Sequence, residues 1–195
     1  MIKINPREIL FLKPEETITI YNKNKESYKL TVLNPYDQNL SDIRLEVDKK
    51  KIEIKKFAPK LNYESRFKFY STFLYYYELK NKNSILLFGQ FQIFIIKSDG
   101  RRKKILQLYR EINDDKGFWS PFSVYEYRQN LIIHYETGVA CISCDLKCNW
   151  HVKLRYDDLL IQTEKDKLIF LDNYNNIEWC LSLIDGRKNI IPFSL

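Results

Sequence analysis

From residue 1 to about residue 70 apolar and polar positions alternate along the chain. Ile18 and Ile20 begin the pattern, followed by Tyr28, Leu30 and Val32, then Ile43, Leu45 and Val47, then Ile52 and Ile54, and finally Phe67 and Phe69. A period of two puts successive side chains on opposite faces, so these runs predict β-strands with one buried face. The intervening stretches 22–26, 34–39 and 48–51 are polar, and they are spaced as turns between antiparallel strands. Two packed antiparallel sheets are expected here. Residues 71–84 read either as a strand and turn or as a short helix capped by Ser71, and the pattern changes there. The expected division is therefore a sandwich module over 1–71 and a hairpin module over 72–195.

Beyond residue 84 the chain repeats a simpler unit. Segments 93–100, 139–146 and 168–175 each run from apolar residues into a turn, and each follows another short apolar segment, at 85–88, 131–135 and 159–163. This predicts successive antiparallel hairpins. The second and third segments are offset by 29 residues, and the same offset carries Trp150 onto Trp179, so the similarity extends through the returning strand as an internal repeat.

Two resemblances follow from these patterns. The strand 28–35 ends in an Asn34-Pro35 turn, an Asp42-Ile43 strand comes next, and Pro59 to Leu61 lead into a closing strand at 65–69. This arrangement resembles small bacterial immunoglobulin-like modules and implies a β-sandwich. The unit of apolar strand, Asp/Asn/Gly turn and Trp-bearing strand over 85–190 resembles the hairpin repeats of PQQ-type β-propellers, with 176–186 the nearest piece. Closed propellers need about four or more four-stranded blades. The second half is thus expected to be partly propeller-like, or else a second sandwich or barrel, and the whole chain all-β.

Composition supports strands over helices. Only two alanines occur, Ala58 and Ala140, among abundant Ile, Tyr and Phe. No apolar run approaches the about 18 residues that span a bilayer, and the start of the chain lacks a small-residue cleavage site, so a cytoplasmic protein with no membrane partner is expected. All four cysteines, Cys141, Cys144, Cys148 and Cys180, fall in the last third, which reads as reduced thiols rather than a disulfide framework.

Candidate chemistry is sparse. Cys141, Cys144, Cys148 and His151 place four soft ligands within one short segment, as a zinc site requires. However, Cys141 and Cys144 are three positions apart and face opposite ways on a regular strand, which favours free, buried thiols. His134 and His151 are the only histidines and have no partner at helical spacing. Neither a Gly-x-Ser-x-Gly elbow nor a phosphate-binding glycine loop is present. Asp157 and Asp158, and likewise Glu164, Asp166 and Asp172, read as turn residues rather than paired catalytic carboxylates. No cofactor is implied.

The net charge is +7, from 32 basic and 25 acidic residues. Arg101, Arg102, Lys103 and Lys104 follow Asp99-Gly100 and are expected at a hairpin tip; Lys49, Lys50 and Lys51 with Lys55 and Lys56 form a second cluster. Trp119, in a loop, is a buried aromatic or an interface anchor. The leading expectation is a non-catalytic module that binds another, acidic protein through Arg101, Arg102, Lys103, Lys104 and Trp119, either as a bacterial immunity protein that neutralises a toxin or as a small subunit of a larger assembly. A nucleic-acid-binding accessory protein using the basic hairpin tips is the alternative, followed by a metal-dependent enzyme centred on Cys141 to His151.

Overall fold

The computed structural model describes residues 10–12, 17–21, 27–32, 43–47, 49–54, 74–79, 84–88, 92–97, 99–109 and 123–191. Every regular element among them is a β-strand, all pairings are antiparallel, and no helix is long and apolar enough to cross a membrane. The chain divides into two compact units, one formed by 9–115 and the other by 116–195 together with 1–8.

The unit 9–115 holds two sheets. In the first, β2 (Thr17–Tyr21), β3 (Ser27–Val32), β4 (Ile43–Val47) and β5 (Lys50–Ile54) follow one another in chain order. The register sets Ile18 opposite Leu30 and Leu30 opposite Val47, while Val32 faces Leu45 and Leu45 faces Ile52. The apolar alternation of the sequence is thus matched across the sheet, because a slip of one residue would move every apolar position to the other face.

The second sheet has the order β1-β6-β7-β8-β9, where β1 is Leu10–Leu12, β6 Leu74–Leu79, β7 Ser84–Phe88, β8 Gln92–Lys97 and β9 Arg102–Gln107. β7 and β8 read as continuous apolar runs rather than alternating ones, and the structure shows why. Ile85, Leu86, Leu87 and Phe88 are all fully buried, as are Ile93 and Ile96, so these strands are covered on both faces.

Of the two readings of the stretch after residue 71, the strand is the one formed, as β6; aromatic side chains suit a pleated, half-buried surface, and β6 pairs with both β1 and β7. The pairing of β1 with β6 also joins strands from either side of residue 71, so the compact units do not coincide with a division into 1–71 and 72–195. Ser71, Phe67 and Phe69 lie outside the described residues.

The unit 116–195 is built from two four-stranded meanders. One consists of β10 (Ser123–Tyr127), β11 (Asn130–Tyr135), β12 (Gly138–Ile142) and β13 (Cys148–Lys153); the other of β14 (Asp158–Thr163), β15 (Lys167–Asp172), β16 (Ile177–Ser182) and β17 (Lys188–Ile190). Their inner faces meet in one core: Tyr125, Tyr127, Ile132, Val139 and Cys141 from the first meander pack with Leu168, Phe170, Trp179 and Leu181 from the second. Phe170 and Trp179 stack with ring centroids 4.6 Å apart, a geometry that adds about 1 kcal/mol to their burial. Asp166 ties the meanders at their rim by accepting the Tyr127 hydroxyl at 2.7 Å and an Arg128 guanidinium N–H at 3.3 Å.

The 29-residue repeat is visible in the strands. It maps β12 (Gly138–Ile142) onto the first five residues of β15 (Lys167–Asp172) and sets β13 (Cys148–Lys153) on β16 (Ile177–Ser182). The sheet surroundings differ, because β13 ends its meander whereas β16 accepts β17 as a further neighbour. The repeat is therefore one of hairpins and is offset by one strand from the sheets that contain them.

Two glycines permit close packing. Tyr135 and Gly138 face each other across the β11–β12 turn, and a Cβ at Gly138 would run into the Tyr135 ring. Gly186 has φ +73° and holds the Trp150 ring so closely that a Cβ would lie 2.8 Å from the indole. Gly186→Ala should therefore combine backbone strain with displacement of Trp150 and cost about 2–4 kcal/mol, read as a lowered midpoint in urea unfolding followed by tryptophan fluorescence.

Candidate functional site

Unit 116–195 presents an open groove of about 310 Å³ lined by Arg155, Asp172, Asn175, Trp179, Lys188 and Ile190, among others. Its floor is a polar network that the sequence did not disclose. Asp158 and Asp172 stand opposite each other across β14 and β15, and both are buried. Two carboxylates so placed repel unless each is compensated.

Asp158 accepts the Trp179 indole N–H at 3.0 Å and the Arg155 backbone N–H at 2.7 Å. Asp172 accepts the Asn175 side-chain amide at 2.7 Å, the backbone N–H groups of Asn175 and Tyr174 at 3.0 and 3.1 Å, and the Arg155 guanidinium at 2.9 Å. The Asn175 hydrogen bonds, foremost among these contacts, hold the Asp172 carboxyl below the usual carboxylate range. Lys188 closes one side, with its Nζ 4.5 Å from the centre of the Trp179 ring and donating to the Lys153 carbonyl at 2.9 Å. Burial draws its pKa down from the ordinary lysine value. These acids and bases fix the turns and the Trp179 ring.

What the scaffold presents is apolar and aromatic. The turn from Arg155 and the turn after Asp172 are bound together by the Arg155–Asp172 pair and by the Asn173 N–H donating to the Asp157 carbonyl at 3.0 Å. From these adjoining turns Tyr156 and Tyr174 project with 72% and 83% of their surface exposed, and Ile190 on the groove wall is 73% exposed. From sequence alone, residues 157–158 and 172 read as ordinary turn residues. The available signal was the symmetry of the two aspartates, one opening and one closing the apolar runs of a hairpin.

The cysteine and histidine segment is spread over several environments. Cys141 faces the core, Cys144 is exposed in the turn after β12, and Cys148 and Cys180 are half-buried; all four are free thiols. The expectation of uniformly buried thiols therefore holds only for Cys141. Burial above all pushes the Cys141 thiol up to about 11, against a lesser opposing effect of the Asn149 amide. His151 Nε2 shares a 2.6 Å hydrogen bond with the Tyr135 hydroxyl. Among the described residues no three His, Cys, Asp or Glu side chains are gathered to hold a metal ion.

In unit 9–115, Arg101, Arg102, Lys103 and Lys104 occupy the β8–β9 turn and the start of the edge strand β9, all exposed as expected. Arg101 pairs within the turn: its backbone N–H and Nε donate to the Asp99 carboxylate at 2.9 and 2.6 Å, which keeps that carboxyl below its ordinary range. The structure also joins the two basic clusters, since Lys50 Nζ donates to the Asp99 carbonyl at 3.0 Å. Lys55, Lys56 and Trp119 lie outside the described residues.

No protein-family model matches this chain, and no curated protein matches it. Among solved structures it is similar to a fragment of HIRA, at 7% identity and a TM-score of 0.33, with 96% of this chain covering 54% of that one. It is also similar to a catalytically inactive variant of virginiamycin B lyase from Staphylococcus aureus with quinupristin, at 10% identity and a TM-score of 0.28, covering 96% of this chain and 74% of that one. The chain thus spans about half the length of the HIRA fragment, and likeness at this level carries no functional inference.

Two outcomes follow from the network and the histidines. Asp158→Ala strips the acceptor from a buried indole N–H and from the Arg155 N–H, and should cost at least about 2 kcal/mol in chemical denaturation. Burial lowers both His134 and His151 to about 4 from an ordinary 6.5. The unfolded chain therefore binds protons that the folded chain refuses. Stability should be intact above pH 6.5 and fall as the pH drops from 6.5 towards 4, with a weaker fall in His134→Gln, as checked by melting temperature against pH.

Proposed function

We propose that the chain is a non-catalytic protein-binding module whose partner docks on the groove and turns of the β14–β17 meander. The observation that carries this reading is the pair of exposed tyrosines, Tyr156 and Tyr174, standing beside Arg155 and Ile190 on turns locked by the Asp172 network. Tyrosine and arginine are the residue types that dominate binding hot spots, and turns fixed in advance lose little entropy on docking. The partner is an acidic protein that offers apolar side chains to the tyrosines and carboxylates to Arg155 and Lys188. Toxin neutralisation by an immunity protein and membership of a larger assembly both use such a face.

Architecture supports the reading. The consecutive order of four strands in each of β2–β5, β6–β9, β10–β13 and β14–β17 is that of a propeller blade, so we read the sheets as blade-like units of a recognition scaffold. The loops and edges of such units are free to vary without disturbing the core.

The test is photo-crosslinking from position 174 in cells, followed by affinity measurement with the protein identified. Tyr156→Ala and Tyr174→Ala should each weaken that complex tenfold or more while leaving the melting temperature unchanged. Undiminished affinity in the double variant would remove this face from the interface.

A further inference from the structure

We infer that unit 9–115 carries a second, separate site: a cationic surface, built from two hairpin tips, that takes the phosphate backbone of a nucleic acid. The β4–β5 turn brings Lys49, Lys50 and Lys51 to one tip, where Lys49 adopts φ 67°. The β8–β9 turn is closed by the Gly100 N–H donating to the Lys97 carbonyl and the Lys97 N–H to the Arg101 carbonyl, each at 2.9 Å, with Gly100 at φ 81°. The 3.0 Å bond from Lys50 to the Asp99 carbonyl fastens the first tip to the second. Clusters about fifty residues apart in sequence thereby become one surface.

The charge of the whole protein is concentrated there. Residues 49–51 and 97–104 hold eight cations and one acid, Asp99, a balance of +7 that equals the net charge of the entire chain. All eight cations are exposed, and the one carboxylate is paired with Arg101 at 2.6 Å. Like charges held this close repel one another, and a polyanion relieves the repulsion while releasing its own counterions.

Composition selects the kind of polyanion. Protein interfaces are depleted in lysine and anchored by aromatic or aliphatic side chains. Here six of the eight cations are lysines, and no large exposed apolar side chain lies among the described residues of the two tips. The face carrying Tyr156 and Tyr174 has the opposite character. Lysine and arginine without stacking partners contact phosphates and read no bases, so binding is independent of sequence.

The test uses the full chain and a fluorescein-labelled 20-nucleotide DNA, single-stranded and duplex, followed by anisotropy from 50 to 400 mM NaCl. Expected is binding whose logarithm falls with the logarithm of salt at a slope of about −4 on duplex, corresponding to four or more phosphates at roughly 0.9 each. Lys51→Gln combined with Lys104→Gln takes one charge from each tip and should make the slope shallower by about 2, with an unchanged melting temperature. Lys165→Gln, on an exposed turn of the other unit, should leave it unaltered. The inference is overturned by absence of binding at 50 mM salt, by a slope indifferent to the Lys51 and Lys104 changes, or by tighter binding of polyglutamate of equal charge, which would assign the surface to an acidic protein. Tyr156→Ala with Tyr174→Ala should leave DNA binding intact, so the two sites fail or stand separately.

Discussion

The hydrogen bond from the Trp179 indole to the buried carboxylate of Asp158 connects the core of the C-terminal unit to its surface turns. Trp179 belongs to the shared core, where its ring stacks on Phe170, and its polar edge reaches the first residue of β14. Asp158 in turn holds the Arg155 backbone, and Arg155 reaches Asp172, whose carboxylate orders the turn carrying Tyr174. A core aromatic is thereby connected to a surface turn through a short chain of charge-assisted bonds, the strong class of hydrogen bond. Without an acceptor for the indole N–H, burial of the ring would carry an uncompensated desolvation cost of about 1–3 kcal/mol.

Local periodicity was legible in the sequence, and contacts across the chain were not. Alternation at Ile18, Leu30, Val47 and Ile52 located β2 to β5, and the 29-residue offset from Val139 to Leu168 identified two hairpins whose strands correspond, β12 with β15 and β13 with β16. The pairing of β1 with β6 had no such signal, because β1 is only three residues long and its partner lies more than sixty residues away. The boundary near residue 71 was drawn where the pattern changes, whereas a sheet edge needs only backbone groups and leaves no mark in side-chain type.

The candidate sites divide in the same way. Exposure of residues 101–104 follows from a basic run beside Asp99-Gly100, but the meeting of that run with Lys50 depends on how two hairpins lie against each other. Asp158 and Asp172 looked like turn residues because aspartate is common in turns; register alone reveals that they face each other. In the cysteine segment, residue type and placement pull apart. Its ligand types were right for zinc, yet β12 directs Cys141 into the apolar core, the chain leaves the strand before Cys144, and His151 is taken by Tyr135.

The irregularity in β14, where the register shifts between Leu160 and Gln162, bears on how the protein behaves when crowded. β14 ends its sheet with Leu159 and Ile161 half exposed, at 50% and 48%, and a straight strand of that kind is a template on which copies of a chain add edge to edge into fibres. A bulge interrupts the even row of free N–H and C=O groups and bends the strand, so an incoming strand finds no continuous ladder to complete. The strand can then keep apolar side chains at its surface for recognition without becoming a nucleus for aggregation.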